Sequence, residues 1–467
     1  MKMRLLTSLA LPILLGACAS AGWQVPAVAL PAQWQSASAS TPAPAATDVA
    51  IDPLIDPAAD QSFWLGFADP QLIALQGSAR AHNADLALAA IRLRQAGFAV
   101  DKAGLARRPN ASLGLNQGAS WALDPARYRG ESGSASLGFS WEVDLWGKLA
   151  DQQQAARWRE QASAAELAAL QLTVATSVAS AYWAIARDQD ALQLAQDDLQ
   201  RARETQSMVE RRYSAGVVSG LDLNQARSNT TQQENALAQA QLALAKSRWQ
   251  LGVLLGQAPQ AGAEIAAMLP EQFPAIALGL PAEVLDHRPD LAAATARLQA
   301  SFADLQVARK NWYPALSLTS SLGGSSQQLL SFIANPVASL GAGLALPFIQ
   351  FNEMALARKS SAADYEAAVI EYRQKLYLAL QEVESALASR TQWQAQVPRL
   401  QSIASETRQV EQQTRLRYAA GAVAFDAVLN ASARRQAAEH ALVLQRYQLA
   451  LASVEVYKAL GGAPLSP

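Results

Sequence analysis

Ser134-Ala135-Ser136-Leu137-Gly138-Phe139-Ser140-Trp141-Glu142-Val143-Asp144-Leu145 alternates without a fault. Ala135, Leu137, Phe139, Trp141, Val143 and Leu145 fall on one side of a period of two, and small or acidic residues fill the other. That period belongs to a β-strand with two unlike faces. Upstream, Ala111 to Trp121 alternates likewise with one exception at Gln117, and residues 122–133 between the two read as a loop. A second pair of segments repeats the arrangement. It comprises Leu316, Leu318, Ser320 and Leu322, then Leu340, Ala342, Leu344, Leu346 and Phe348, around a loop holding Gly323-Gly324 and Asn335-Pro336. Such hairpins could sit half-buried on a soluble core. They could also cross a membrane, where strands need about 9 to 11 residues with apolar side chains toward lipid and small polar ones toward a lumen.

The flanking segments favour the membrane. From Lys148 to about Tyr213 there is no proline, and Leu167, Leu170, Val174, Val178 and Ala181 recur at helical spacing. A helix of that span is roughly 100 Å long at 1.5 Å per residue, which a small sandwich has no place for and a conduit projecting from a membrane does. A counterpart over about Asn352 to Tyr418 carries Val369, Tyr372, Leu376, Leu380, Val383 and Leu387. Pro398 should kink or break it. Shorter helices are expected over about 71–107, 221–254, 288–312 and 427–460. Their abundant Ala, Gln and Ser suit close-packed, partly solvated bundles.

An internal repeat orders these pieces. Asp85 and Asp290, Arg92 and Arg297, Pro109 and Pro314, Val178 and Val383, Tyr213 and Tyr418, Gly216 and Gly421, and Gly256 and Gly461 are each separated by 205 residues, with no gap at any landmark. The unit is too large for a solenoid module, so the chain holds two copies of one large element. Repeat 1 spans 61–256 with a hairpin at about 110–145, and repeat 2 spans 286–461 with a hairpin at about 315–348. Residues 257–285, with four prolines, form an irregular connector, and 462–467 a short tail.

Two hairpins give four strands per chain. Open strand edges in hydrocarbon cost several kcal/mol per unpaired group, so copies must complete the wall. Eight strands enclose only side chains, which sets three chains and twelve strands as the floor for a water-filled pore.

At the amino terminus, Lys2 and Arg4 precede the mostly apolar run Leu5 to Leu15 and then Gly16-Ala17-Cys18. This is the pattern of a secretory leader over 1–17, too short to span a membrane. A cysteine directly after Leu-Gly-Ala resembles the lipobox of bacterial lipoproteins, in which the thiol is acylated and becomes the first mature residue. Ala19 is not the Asp used for retention in the inner membrane, so the resemblance points outward. An ordinary leader with an incidental cysteine is the alternative. Residues 18–60, rich in Ala, Ser and Pro, read as an extended, lipid-anchored tether.

Composition closes other routes. With 38 Lys+Arg against 39 Asp+Glu, nothing global steers the chain to nucleic acid. One cysteine and three histidines cannot make a four-cysteine or two-cysteine, two-histidine zinc site, nor a disulfide within one chain. His82 and His287 are repeat mates placed just before helices, and His440 lies within a periodic helix. No phosphate-cradling loop, metal-ligand cluster or nucleophile–base pair has useful spacing, so no catalytic, cofactor or metal residue is expected.

Trp141-Glu142-Val143-Asp144-Leu145-Trp146-Gly147-Lys148-Leu149, the pair Asn83-Ala84-Asp85-Leu86 and Arg288-Pro289-Asp290-Leu291, and the turns Arg212-Tyr213-Ser214-Ala215-Gly216 and Arg417-Tyr418-Ala419-Ala420-Gly421 together resemble the TolC/OprM family of outer membrane efflux proteins. Within it they are most similar to the NodT-type lipoprotein branch of resistance-nodulation-division (RND) efflux systems. The resemblance implies a mainly α fold with transmembrane β: a trimeric twelve-stranded outer membrane β-barrel, a long periplasmic α-helical barrel and an equatorial region from the connector and termini. It implies a passive exit duct for drugs and other toxic small molecules. An inner-membrane RND transporter would deliver these through a periplasmic adaptor, with no cofactor beyond acyl chains on Cys18. Two alternatives are a duct for type I protein secretion and a lipid-anchored structural coiled-coil protein.

The same resemblance makes Gly216 and Gly421 the periplasmic turns where the adaptor docks and the pore rests closed. Purely as helix caps, both glycines would need no further role. Asp222 and Tyr418 match positions that tie neighbouring helices in the closed tip. Val423 and Ala427 stand where TolC has a basic and an acidic residue, and Asn430 where both TolC and OprM have an acidic one. Asp426 and Asn430 share a helix face, and three copies of Asp426 around an axis would attract cations. Asp426 and Asn430 are therefore expected to line the constriction and Asp222 and Tyr418 to latch it, unless Asp426 only serves the positive end of its helix.

Overall fold

A computed structural model describes residues 23, 26, 31, 33–35, 63–123, 126–259, 265–274, 281–326, 337–346 and 350–462. The leader, Cys18, most of the tether and residues 463–467 lie outside the described residues. Chain order is α1 (Pro70–His82), α2 (Ala84–Leu105), β1 (Asn110–Leu123), β2 (Ala126–Val143), α3 (Lys148–Ser214), α4 (Gly220–Leu254), α5 (Pro281–Asp286), α6 (Pro289–Lys310), β3 (Ala315–Ser326), β4 (Val337–Ala345), α7 (Phe351–Ala419) and α8 (Phe425–Ala459). Two units divide the described residues, one comprising those within 100–158 and 297–373, the other those within 63–99, 159–296 and 374–462.

In the first unit the strands form one antiparallel sheet, β1-β2-β3-β4. The two hairpins are therefore fused through β2 and β3. Residues 122–133 are not the loop expected from sequence: β1 and β2 continue to Leu123 and from Ala126, with a register shift at Ser120/Trp121. A bulge there lets the ladder run on although the side-chain alternation lapses.

The junction from β2 into α3 follows from its sequence. Asp144 accepts from the Leu149 and Ala150 amides at 3.1 and 2.8 Å, capping α3, while Gly147 turns the chain at φ 71°. Trp146 Nε1 donates to Pro314 O at 2.8 Å and its ring stacks on Tyr313 at 4.9 Å. Lys310 Nζ pairs with Asp151 at 2.6 Å.

Helices make the second unit. The expected helix over about 71–107 is two helices, because Asn83 is extended (ψ 127°) and caps α2 by accepting from the Asp85 and Leu86 amides. Its side-chain amide, Nδ2, also donates to Leu254 O at 2.9 Å. Arg288, its repeat mate, donates to Ala459 O at 2.9 Å, the mate of Leu254. In both repeats the helix end thus held closes on a left-handed glycine, Gly256 or Gly461, pressed against the carbonyl of His82 or His287. The connector contains the short α5, and α7 runs through Pro398 as one 69-residue helix. The main core joins Phe63, Trp64 and Phe67 to Val178, Tyr182, Trp183, Leu251 and Tyr457.

Candidate functional site

The register sorts the sheet into two surfaces, since directly opposed residues share a face. Leu113 opposes Leu137, which opposes Leu322; Trp141 opposes Leu318, which opposes Ala342; Leu316 opposes Leu344. That face is apolar and open, with Leu113 72% and Leu340 87% exposed. The other face aligns Gly114 with Ser136 and Gly323, and Thr319 with Gly341. Ser321 and Ser339 share a 2.7 Å hydrogen bond across it. One surface suits hydrocarbon and the other water. Strands β1 and β4 each keep one unpaired edge within the chain. Among the described residues one helix, α3, is long and apolar enough to cross a membrane by length and composition, but 61% of that window is buried inside the chain.

At the far ends of α3 and α7 the chain reverses by the same device. Gly216 N and Val217 N donate to Tyr213 O and Arg212 O, both at 2.9 Å; Gly421 N and Ala422 N donate to Tyr418 O and Arg417 O at 2.9 and 2.8 Å. These are paired C-terminal hydrogen bonds closed by a left-handed residue, and the φ values, 72° and 74°, explain the glycines. A Cβ at either would meet nothing within 4 Å, so only backbone conformation demands Gly there.

The following helices start differently. Ser219 and Asp222 form a reciprocal capping box on α4. Ala424, the mate of Ser219, gives α8 no side-chain cap. The Asp222 carboxylate, expected to tie neighbouring helices, closes its own first turn in this chain. Asp426 and Asn430 are exposed on α8, and Gln225 Nε2 on α4 donates to Asp426 Oδ1 at 3.0 Å.

Tyr418 is buried among Val209, Leu223, Ala226, Phe425 and Val428. The Arg212 guanidinium lies 4.7 Å over its ring and donates to Tyr418 O at 2.6 Å, linking the ends of α3 and α7. The Tyr418 hydroxyl is buried without a hydrogen-bond partner among the described residues. Burial and the Asp222 charge push its pKa up, against the opposing pull of Arg212. Tyr418 and Asp222 therefore share one electrostatic neighbourhood, while Asp426 and Asn430 lie on the open surface beside it.

Sequence reasoning missed an ionic cluster higher in the helices. Buried Arg435 on α8 bonds to Asp198 on α3 and to Glu439, and its Nε lies 2.6 Å from Glu411 on α7. Arg408 pairs with Glu439, and Arg201 lies 3.8 Å from Glu411. One signal was present: Arg408 and Glu439 are the mates of the bridged pair Arg203 and Glu234, but Thr230 stands where repeat 2 has Arg435.

Known proteins match this arrangement. The family model described as outer membrane efflux protein matches residues 75–257 and again 280–462, two spans displaced by the repeat length. The chain is 32% identical to the pyoverdine export outer membrane protein OpmQ of Pseudomonas putida, over 98% of this chain and 97% of that one. It is 28% identical to the toluene efflux pump outer membrane protein TtgC of Pseudomonas putida, over 96% and 93%. The solved outer-membrane channel OprN superposes with a TM-score of 0.82 at 26% identity, covering 96% of this chain and 99% of that one.

Proposed function

Since the chain belongs to the outer membrane efflux protein family, we propose that the Gly216 and Gly421 turns are the periplasmic end at which an adaptor docks and the resting pore is closed. The protein is the outer membrane channel of an efflux pump, a trimer whose four-stranded sheets join into one twelve-stranded barrel above a large periplasmic helical part. The observation that carries the duct reading is the two-faced sheet with two open edges: it can be satisfied in lipid only by other copies, and its polar face then lines water.

In this reading Asp222 and Tyr418 latch the tips, and Asp426 and Asn430 line the constriction. Arg212 stacked on Tyr418 and the charge of Asp222 beside it support the latch. Cys18 carries the acyl chains that hold the mature protein to outer membrane lipid, and an RND transporter feeds the duct through the adaptor. The relatives named for pyoverdine export and for toluene efflux carry different cargo. A wide polar passage needs no cargo pocket, so selection falls to the inner-membrane partner.

Single-channel recording of the purified trimer in planar bilayers tests the latch. Asp222→Ala or Tyr418→Ala should raise the resting conductance; no change in either would remove it. Mass spectrometry of the mature amino terminus tests Cys18, with an unacylated peptide as the refuting result. Cross-linking of native membranes tests the partners, since recovery of an ABC exporter instead of an RND transporter would favour protein secretion.

A further inference from the structure

Within the chain, repeat 1 is joined to repeat 2 where the strands give way to helices. Strand β2 of repeat 1 pairs with β3 of repeat 2. Next to them Asp151 on α3 meets Lys310 on α6 at 2.6 Å, and the two side chains are only 25% and 22% exposed. Each contact runs from a residue of repeat 1 to a residue of repeat 2.

The repeat mates of these residues stand open in the single chain. Lys310 ends α6 as Leu105 ends α2, and the two helix ends turn alike: Tyr313 N donates to Lys310 O and Arg108 N to Leu105 O, each at 3.0 Å. Asp151 on α3 has Leu356 on α7 as its mate. Leu105 is 62% exposed and Leu356 67%, so two large apolar side chains are left uncovered at the mates of a half-buried ion pair. Strands β1 and β4, the mates of β3 and β2, are likewise the two with an open edge.

We infer that the joint inside the chain is reproduced between copies, so that Leu356 of one copy packs on Leu105 of the next in the place where Asp151 pairs with Lys310 within a copy. This rests on the trimeric barrel and assigns its seam. Displacing the β2–β3 register by the repeat length sets Leu344 opposite Leu115 of the next copy, as Phe139 opposes Ser320, and Leu340 opposite Ala119, as Ala135 opposes Gly324. On the other face Ser339 falls opposite Ser120, as Ser134 opposes Ser325. Apolar residues thus meet apolar ones and small polar ones meet their like, whereas a slip by one residue would turn every side chain of β4 to the wrong face. The two joints differ in chemistry. An ion pair closes the one within the chain, and apolar burial closes the one between copies.

Two measurements on the full-length detergent-solubilised trimer test the seam. Oxidation of a variant carrying Leu115→Cys and Leu344→Cys should give covalently linked dimers and trimers on a denaturing gel. Leu115→Cys with Leu340→Cys, displaced by four residues, should give none, and neither should any of the single variants. Leu356→Asp or Leu105→Lys alone should make the trimer dissociate about tenfold faster, because a charge is left unpaired in the seam. The two together should return the rate to within about twofold of wild type by rebuilding the ion pair between copies. Linkage in the displaced pair, or a double variant no slower than the faster single one, would overturn the seam, and either result with the trimer intact leaves the barrel itself standing. Should a single variant give no trimer, recovery of trimer in the double variant decides by the same criterion.

Discussion

Replacing Arg435 by alanine exposes what holds α3, α7 and α8 together above the tips. The side chain is 2% exposed and faces three carboxylates, Asp198, Glu411 and Glu439, that are themselves 3–5% exposed. Burial opposes its charge, but the bonds to Asp198 and the charges of Glu411 and Glu439 overcome this and push its pKa up. After truncation, Glu439 still has Arg408 and Glu411 still has Arg201, whereas Asp198 loses its cation. Removing one partner of a buried ion pair costs about 3–5 kcal/mol, most of it the penalty of the charge left behind. Arg408→Ala is the control: its side chain is 57% exposed and Glu439 keeps Arg435, so it should cost no more than about 1 kcal/mol. Adding Asp198→Asn to Arg435→Ala removes the stranded charge and should recover a large part of the loss. The assay is thermal unfolding of the detergent-solubilised trimer at one scan rate, all variants side by side. Arg435→Ala as stable as Arg408→Ala, or no recovery in the double variant, would refute the account.

Asp290 gives a pH prediction. Burial raises its carboxyl, but the hydrogen bonds and charges of Arg288 and Lys375 override this and hold it at about 2, below the ordinary 3.8. A depressed carboxylate stabilises the fold above the unfolded value, and that stability is lost as pH falls through 3.8 toward 2. Asp290→Asn should therefore cost about 2 kcal/mol at pH 7 in a denaturation series, with the gap to wild type closing near pH 2. Among the left-handed glycines, Gly216→Ala should cost about 1 kcal/mol of strain, and Gly256→Ala distinctly more, since its Cβ would collide with the His82 carbonyl oxygen; unfolding midpoints compare them. Tyr418→Phe removes a buried hydroxyl that has no partner among the described residues, so its unfolding midpoint should match or exceed that of wild type, while Ser219→Ala should lose about 1 kcal/mol with its cap.

Where the physics is local and periodic, the chain could be read directly. Ser134 to Leu145 alternates because one face meets lipid and the other water, and the same contrast recurs in β3 and β4. The repeat was visible because its landmarks, such as Gly216 and Gly421, have backbone conformations that other residues adopt only under strain. Residues 122–133 misled because a ladder is held by backbone hydrogen bonds and can continue where side chains stop alternating. The break at Asn83 was hidden inside an unbroken helical pattern; only the cap and the bond to Leu254 O reveal it. The burial of Arg435 has no local signal, since its partners are brought in by α3 and α7 from far along the chain. Asp222 was legible as a tip residue, but its commitment to Ser219 was not.

Ser219 caps one tip and Ala424 leaves the other bare, so the two halves of the duplication have parted company at their outermost turns. Assembled in threes, the subunits carry three turns whose next helix has a side-chain cap and three whose next helix has none. The six turns therefore have threefold rather than sixfold chemistry: three helix starts are closed by a side chain, and three rest on backbone hydrogen bonds alone.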